Sequence, residues 1–375
     1  MASSKQTLPT LRSLARSAES VQHPQYVTAR TKRWVVILSV LGALLVGALI
    51  ISLVIGSVNI PLKDILSALF GGETERASWK TIILNFRLPK ALTALLAGSG
   101  LAVSGLILQT LFRNPLADSY VLGVSSGASL GVALVILVLG TTGATFLTGL
   151  SFISDLGIAA AACLGAGFVM VIVLIAAQRV KNTMMLLILG LMISYLTNAL
   201  VSIMMHFSIQ DRIQTYVNWT FGSFASVTWG QMPIFALVCI SALVIAFLCI
   251  KPLNALLLGE AYARTLGVDI RHVRRLLIAS ASLLAGGITA FCGPIAFIGI
   301  AVPHIARAVM GTADHRVLVP ATALIGGAFA LMADVISQMP GTDIVLPLNA
   351  ITALIGAPIV VWVILRRQIL RSLAS

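Results

Sequence analysis

Charge is what this sequence has least of. Only 10% of its 375 residues are Asp, Glu, Lys or Arg, and only 12 of them are acidic. A soluble domain of this size carries more charged surface than that, so a free-standing soluble fold is excluded. A hydrophobic fraction of 58% and a mean hydropathy of +1.02 indicate a polytopic membrane protein, since about 20 apolar residues make one transmembrane helix.

Motifs of covalent chemistry are also missing. The sequence has no Walker A loop, no nucleophile elbow and no histidine pair at metal-ligand spacing. Four cysteines lie inside apolar runs without paired spacing, which predicts small buried side chains rather than disulfides or a metal site: Cys163, Cys239, Cys249 and Cys292. We therefore expect no cofactor, no metal and no enzymatic activity. If the chain drives transport, the energy comes from an ion gradient or a separate ATPase.

Apolar runs predict an all-α fold with about ten transmembrane helices and both termini in the cytoplasm. Nineteen of the 25 Lys and Arg residues fall on predicted inner segments and six on outer ones, which satisfies the positive-inside rule. The net charge of +13 therefore needs no nucleic-acid partner. The predicted spans lie near 34–57, 91–112, a third that ends near 139, 158–177, 184–206, 234–250, two within 276–302 divided at Cys292-Gly293-Pro294, 317–336 and 346–365.

Two domains are predicted. Residues 1–33 are polar and basic and are expected to form a disordered cytoplasmic extension, while 34–370 form the membrane domain. The largest inner loop, 251–275, reads as two short helices broken at Gly267. With 25 residues it is longer than a simple connection needs, and a docking surface for a cytoplasmic partner and a merely long loop fit it equally well.

Polar residues crowd one membrane boundary between the second and third predicted spans. Pro115 is expected to end the preceding helix, and three glycines then recur four residues apart. That small-xxx-small spacing lets another helix approach closely in lipid, and it is favoured over a phosphate loop because no lysine follows. The residues concerned are Arg113, Asn114, Asp118, Gly123, Gly127 and Gly131.

Three ionisable residues, Asp334, His304 and Arg307, lie within or beside later apolar runs. Such groups are functional candidates by default, and Asp334 could bind a proton or cation in a secondary transporter. We favour a buried carboxylate paired with Arg307, His304 or a helix end, because one acid without partners makes a poor relay. His304 follows Pro303 at an expected helix break, where a structural hydrogen bond is favoured over catalysis.

Five stretches together resemble the bacterial permeases that import ferric siderophores, haem and cobalamin with an ABC ATPase. They occur in the family's order and cover about 35–370: 87–90 running into 98–105, 113–131, 259–268, 293–307 and 352–358. The resemblance implies a permease in the bacterial inner membrane that pairs with an identical or similar permease. It also implies an ATPase dimer docked on 251–275 and an external binding protein.

The resemblance also implies roles for particular residues. Arg87 and Lys90 match the outer basic pair that meets the binding protein, although two cations there also suit headgroup anchoring. Asn182, Thr183, Met184 and Met185 match the cytoplasmic gate and pathway, although a Met pair is also ordinary packing. Matches to the ATPase-coupling loop are Gly259, Glu260, Arg264, Leu266, Gly267 and Val268.

Three departures from the family's pattern bear on partner choice. Gln338 stands where a basic residue is usual, Val345 where a carboxylate is usual, and Lys90 where arginine is usual. Expected cargoes are a ferric siderophore first, then haem and cobalamin, moved inward by alternating access. An ion-coupled secondary transporter using Asp334 and a membrane scaffold without transport are the alternatives.

Overall fold

The structure is a computed structural model that describes residues 24–56, 58, 60–139, 153–180, 183–339 and 344–372. This part of the chain contains fourteen helices and no strand, which confirms the all-α prediction. The helices are α1 Pro24–Val54, α2 Leu62–Leu69, α3 Ala77–Leu111, α4 Val124–Ala133, α5 Ile153–Arg179, α6 Thr183–His206, α7 Gln210–Thr220, α8 Met232–Leu248, α9 Ile250–Leu258, α10 Glu260–Thr265, α11 Ile270–Cys292, α12 Ile298–Met310, α13 His315–Ser337 and α14 Leu348–Ser372.

Six of these helices are long and apolar enough to cross a membrane, namely α1, α3, α5, α6, α11 and α13. A seventh crossing results if α8 and α9, bent by 51° at their junction, count as one span. The segments around α4, α12 and α14 are apolar but shorter. Every predicted span overlaps one of these helices. The count of ten crossings and the cytoplasmic location of both termini remain predictions.

Helix α3 is the centre of the bundle, and 83% of its apolar window is buried. Helices α11, α12 and α13 pack around it. The contacts are backbone to backbone at two glycines, because a Cβ on Gly98 would meet the carbonyl carbon of Gly326 at 2.9 Å and a Cβ on Gly105 would meet the Cα of Gly299 at 2.6 Å. In lipid there is no hydrophobic driving force between helices, so they associate through close van der Waals packing, which small residues at the crossings allow.

The glycine spacing predicted for the third span makes the same kind of contact. A Cβ on Gly127 would lie 2.6 Å from the carbonyl oxygen of Gly165, and one on Gly131 would lie 2.8 Å from the carbonyl carbon of Ala161, both in α5. Gly123 precedes α4 with a φ of 76°, a conformation that favours glycine. Close packing of α4 on α5 is therefore confirmed.

Helix α3 starts at Ala77, well before the predicted start of the second span at 91. The charged residues of 77–90 misled the prediction, because their side chains bind acceptors within the protein: Lys80 and Arg87 bind backbone carbonyls and Lys90 binds Asp334. A π-helical turn, Ile82–Arg87, comes just before Pro89. A wider turn there accommodates the proline ring, which in a regular helix clashes with the carbonyl four residues earlier. Helix α1 likewise begins at Pro24, inside the predicted extension.

The long apolar stretch divides at Gly293 as predicted, since α11 ends at Cys292 and Gly293 has a φ of 73°. The prediction that the first half would be short is wrong, because α11 has 23 residues and α12 only 13. His304 lies inside α12 rather than at a break. Cys163 is exposed, unlike the other three cysteines, because it lies on the outward face of α5.

Candidate functional site

The segment 251–275, which is predicted to lie on the inner side, is almost wholly helical. The chain breaks at Gly259 with a φ of 117° and again at Gly267 with a φ of 81°, so the prediction of a single break at Gly267 is wrong. The rest of the segment belongs to α11, whose first turn Asp269 caps by accepting hydrogen bonds from the backbone N–H groups of His272 and Arg271. The bond from His272, followed by that from Arg271, lowers the pKa of Asp269, so the cap is charged at neutral pH.

Helices α9 and α10 present large side chains outward. Leu258 is 66% exposed, Tyr262 51% and Leu266 58%, and Arg264 is exposed beside them. Ala263 on the opposite side of α10 is fully buried and anchors the helix. Clustered exposed apolar side chains rimmed by charge mark sites of contact with another protein or with the membrane. We call Leu258, Tyr262, Arg264 and Leu266 the docking surface.

Glu260 serves a different purpose from its neighbours. Its Oε1 lies 2.8 Å from Nη2 of Arg274, and Nη1 of Arg274 donates to the carbonyl of Val180 at 3.2 Å. Arg274 is buried, so the pair fastens α10 to α11 and to the end of α5. Of the other predicted coupling residues, Arg264, Leu266 and Gly267 are exposed and Val268 is half-buried.

A cleft of about 570 Å³ separates the inner end of α3 from α9 and α10. Arg113, at the end of α3, donates to the carbonyl of Leu256 at 3.3 Å and lies against Gly259. Asn114 turns back to accept from the N–H of Leu116 at 3.0 Å. The boundary stretch predicted from sequence therefore lies next to the docking surface. Ten residues line the cleft: Thr110, Leu111, Phe112, Arg113, Leu256, Leu258, Gly259, Glu260, Ala261 and Tyr262.

At the other end of α3 the two outer cations are engaged within the chain. Arg87 donates to the carbonyls of Leu53 at 2.7 Å and Val54 at 2.9 Å, and also to that of Val58. It thereby satisfies carbonyls that the end of α1 leaves without partners. Lys90 pairs with Asp334, its Nζ 3.0 Å from Oδ1.

Asp334 is a buried, paired carboxylate as expected, but its partner is Lys90 and not Arg307 or His304. Asp334 lies three residues before the end of α13, whereas Arg307 binds Gln109 at the opposite end, where His315 begins α13 beside Thr110. Gln338 completes the site by donating to Oδ2 of Asp334 at 2.9 Å. A cavity of about 370 Å³ is lined by Arg87, Lys90 and Gln338 among others. We call it the outer cavity, because it lies at the end of α3 that is predicted to face outward.

His304 and Arg307 instead join α12 to α3 and to the boundary stretch. Nε2 of His304 lies 2.9 Å from the carbonyl of Pro115 and Nδ1 lies 3.4 Å from Nη2 of Arg307. These contacts require the Nε2–H tautomer, which donates to Pro115 and accepts from Arg307. Arg307 also donates to Oε1 of Gln109. Asp118 is buried and its carboxylate lies against Gly299.

The predicted gate and pathway residues begin at the inner end of α6. Asn182 lies outside the described residues, and of Thr183 only the backbone is described, as the start of α6. Met184 and Met185 are 56% and 59% exposed. Within the described ranges no group of three or more His, Cys, Asp or Glu residues is arranged to hold a metal ion.

Sequence reasoning missed a polar stripe farther along α6. Tyr195, Asn198 and Ser202 are all exposed and recur at spacings of three and four, which places them on one helix face. Polar side chains that face lipid are costly, so this face is suited to a protein contact or a water-filled path. Their periodicity within an apolar helix is the signal that would have found them.

The chain is similar in sequence to one family of transport proteins over most of its length. The FecCD transport family matches residues 44–366, and the chain belongs to this family. A solved structure described as an inward-facing conformation of a metal-chelate type ABC transporter is similar with a TM-score of 0.74 and 32% identity. The likeness covers 86% of this chain and 96% of that chain.

Individual relatives are vitamin B12 import system permease proteins named BtuC. The protein of Klebsiella pneumoniae is 34% identical over 214 residues, which is 55% of this chain and 62% of the relative. That of Salmonella typhimurium is 36% identical over 212 residues with the same two shares. This chain therefore matches less than two thirds of the length of these relatives.

Proposed function

We propose that this chain is the membrane-spanning permease subunit of an ATP-driven importer. ATP is hydrolysed by a separate ATPase dimer on the cytoplasmic side, and an external binding protein delivers cargo at the outer surface of a bacterial inner membrane. The docking surface on α9 and α10 carries this proposal, because it exposes apolar side chains and a cation at the polar end of the bundle. Membership of the FecCD transport family supports it.

The cargo is proposed to be a large metal chelate, moved by alternating access along a path between two permeases. The exposed polar stripe of α6 is suited to line that path. A ferric siderophore is the first expectation, followed by haem and cobalamin. The solved metal-chelate transporter and the vitamin B12 permeases support the class of cargo.

An ion-coupled transporter that uses Asp334 is the competing function. Both oxygens of Asp334 are engaged, one by Lys90 and one by Gln338, and the side chain is 3% exposed. A carboxylate held in this way is suited to fastening helices rather than to carrying ions. Uptake of radiolabelled siderophore and cobalamin into proteoliposomes should therefore require a hydrolysis-competent ATPase and persist after an ionophore collapses ion gradients. Uptake that follows the gradient without ATPase would contradict the proposal.

Docking is tested by the double variant Tyr262→Ala with Arg264→Ala. We expect ATPase co-purification to fall by about tenfold or more, since a few central aromatic and arginine residues carry most interface energy. Membrane abundance should stay at the wild-type level, because both side chains point outward. The measurement is quantitative mass spectrometry of ATPase captured by the tagged permease.

The matched control is Phe70→Ala with Lys63→Ala, which removes an exposed aromatic and an exposed cation from the predicted outer side. It should capture ATPase normally. Normal capture by the Tyr262/Arg264 variant would show that the partner does not dock on this surface.

A further inference from the structure

We propose that Asn254 and His315 form a joint that passes movement of the docking helices to α3 and α13. The inference rests on the proposed function, and assigns to these two residues the role of positioning the docking helices relative to the spans. Neither belongs to the docking surface or to the residues singled out from the sequence. Both lie behind that surface, where α9 meets the inner ends of two spans.

Asn254 is the part of the joint that belongs to α9. Its Oδ1 accepts the backbone N–H of His315 at 2.8 Å and lies 2.9 Å from the ring Nδ1. Its Nδ2 donates to Oδ1 of Asp314 at 2.7 Å. Asp314 also caps α13 by accepting from the N–H of Arg316. One amide side chain thus holds the first turn of α13 through three hydrogen bonds.

His315 extends the joint to α3. Its side chain is fully buried, and Nε2 lies 2.9 Å from Oγ1 of Thr110. Because an amide oxygen only accepts, the ring must donate from Nδ1 to Asn254, which leaves Nε2 of the neutral ring as an acceptor. The single hydroxyl proton of Thr110 is then shared between Nε2 and the carbonyl of Leu106, which lies 2.9 Å from Oγ1. A buried network in which each member has a partner is directional and stiff. Thr110 is thus linked to α9 through His315 and Asn254, and the neighbouring Arg113 is linked to α9 directly through the carbonyl of Leu256.

Helices α3 and α13 are fastened to each other at several points between Lys90 and Thr110 of α3. Thr110 and His315 join them at the inner end, and Lys90 and Asp334 at the outer end. Between these lie the Gly98–Gly326 contact and a hydrogen bond from Ser99 to the carbonyl of Ala323 at 2.8 Å. Two helices joined in this way move as one body, because packed cores do not deform continuously.

The pair therefore connects the docking helices to the outer cavity. Phe86, Arg87 and Lys90 line that cavity and belong to the same helix as Thr110. When ATP binding moves α9, Asn254 would move the inner ends of α3 and α13. Because the two helices move together, their outer ends would move as well. Without the joint, ATP hydrolysis continues but less of it is converted into transport.

The test uses the complete complex in proteoliposomes with ATPase, binding protein, and whichever of radiolabelled siderophore or cobalamin the wild type imports. Asn254→Leu keeps the side-chain size and removes all three hydrogen bonds. We expect cargo moved per ATP hydrolysed to fall by about tenfold, within the usual range of coupling between sites. ATPase capture and basal ATP hydrolysis should remain within twofold of wild type. Lys251→Ala, exposed in the first turn of the same helix, is the control and should couple normally.

Substitutions of His315 separate the two arms of the joint. An asparagine amide lies about where Nδ1 lies and can still donate to Asn254, whereas a glutamine amide lies nearer the position of Nε2. We expect His315→Asn to retain more coupling than His315→Gln or His315→Ala. A merely structural role would instead lower thermal stability and ATPase capture together in all three variants, and that result would overturn the proposal.

A second readout needs no cargo. An environment-sensitive fluorophore on Phe86→Cys, with the four native cysteines replaced, should respond to ATP in the wild-type background. The response should be lost in Asn254→Leu and kept in Lys251→Ala. Unchanged responses and an unchanged transport ratio in Asn254→Leu would refute the joint. A wild-type chain that captures no ATPase would refute the proposed function instead.

Discussion

At the scale of single residues, the cations of the membrane spans are bound by hydrogen-bond acceptors on other helices. Arg87 uses backbone carbonyls at the end of α1, Lys90 uses Asp334, and Arg307 uses Gln109. A charge taken out of water without such a partner would cost several kcal/mol. These side chains therefore specify which helices lie next to each other.

Lys90→Ala tests this at the Asp334 site. The substitution leaves a carboxylate buried without its cation, which should cost about 3 kcal/mol and lower the melting temperature of the solubilised protein. Lys90→Met combined with Asp334→Leu should recover most of the loss, because it removes both charges and keeps apolar volume. The measurement is a thermal melt, with exposed Lys63→Ala as control. A melting temperature for Lys90→Ala equal to that of the control would show that the ion pair does not hold α3 against α13.

At the scale of helices, glycine decides how closely the spans approach. Positions 98, 105, 127 and 131 all place backbone against backbone, so their neighbours cannot yield as a flexible side chain would. The same residue type elsewhere is unconstrained, since a Cβ on Gly47 of α1 would meet nothing within 4 Å. Composition alone does not distinguish these two kinds of glycine.

Gly105→Ala should therefore lower the stability of the protein strongly, whereas Gly47→Ala should change it little. The first forces α3 away from α12 and should cost about 3 kcal/mol, at the upper end of the range for overpacking. The second improves helix propensity and should leave stability unchanged or slightly raised. Membrane abundance and detergent melting temperature measure both. Comparable behaviour of the two variants would mean that α3 and α12 do not approach as closely as described.

At the scale of the whole molecule, the proposed function requires a second permease, because one chain forms only one side of the proposed path. The stripe formed by Tyr195, Asn198 and Ser202 faces outward, where lipid would be a poor neighbour for it. A second permease facing this stripe would enclose a polar path between the two chains. The docking surface would then be present twice, once for each member of an ATPase dimer.

A mass measurement on the purified chain tests the pairing. Expressed alone in detergent, it should run as a homodimer of twice the 39.4 kDa chain mass, because the polar stripe of one copy is matched by that of another. A monomer that pairs only with a second, co-expressed permease would establish a heterodimer. A monomer that still transports with its ATPase would contradict a path between two permeases.

The sequence by itself determined the features that depend on composition and local pattern. The lengths of the apolar runs predicted where most helices lie, because a helix that crosses a bilayer needs about 20 apolar residues. The glycine spacing at 123–131 predicted a close helix contact, because small residues let two helices approach in lipid. The resemblance in five stretches indicated the family that the comparison then showed. The predicted ends of the helices were less accurate. Helix α3 starts at Ala77 and not near 91, because charged side chains can belong to a helix when other groups of the protein bind them.

Only the tertiary structure decided which distant polar groups meet. Lys90 and Asp334 are separated by most of the chain, and so are Thr110 and His315, yet both pairs join the same two helices. No local pattern encodes such pairings, because they depend on how α13 crosses α3 and at what depth. Exposure is decided in the same way. Glu260 and Arg264 lie one helical turn apart, and packing turns the first towards Arg274 and the second towards the cytoplasmic partner we propose.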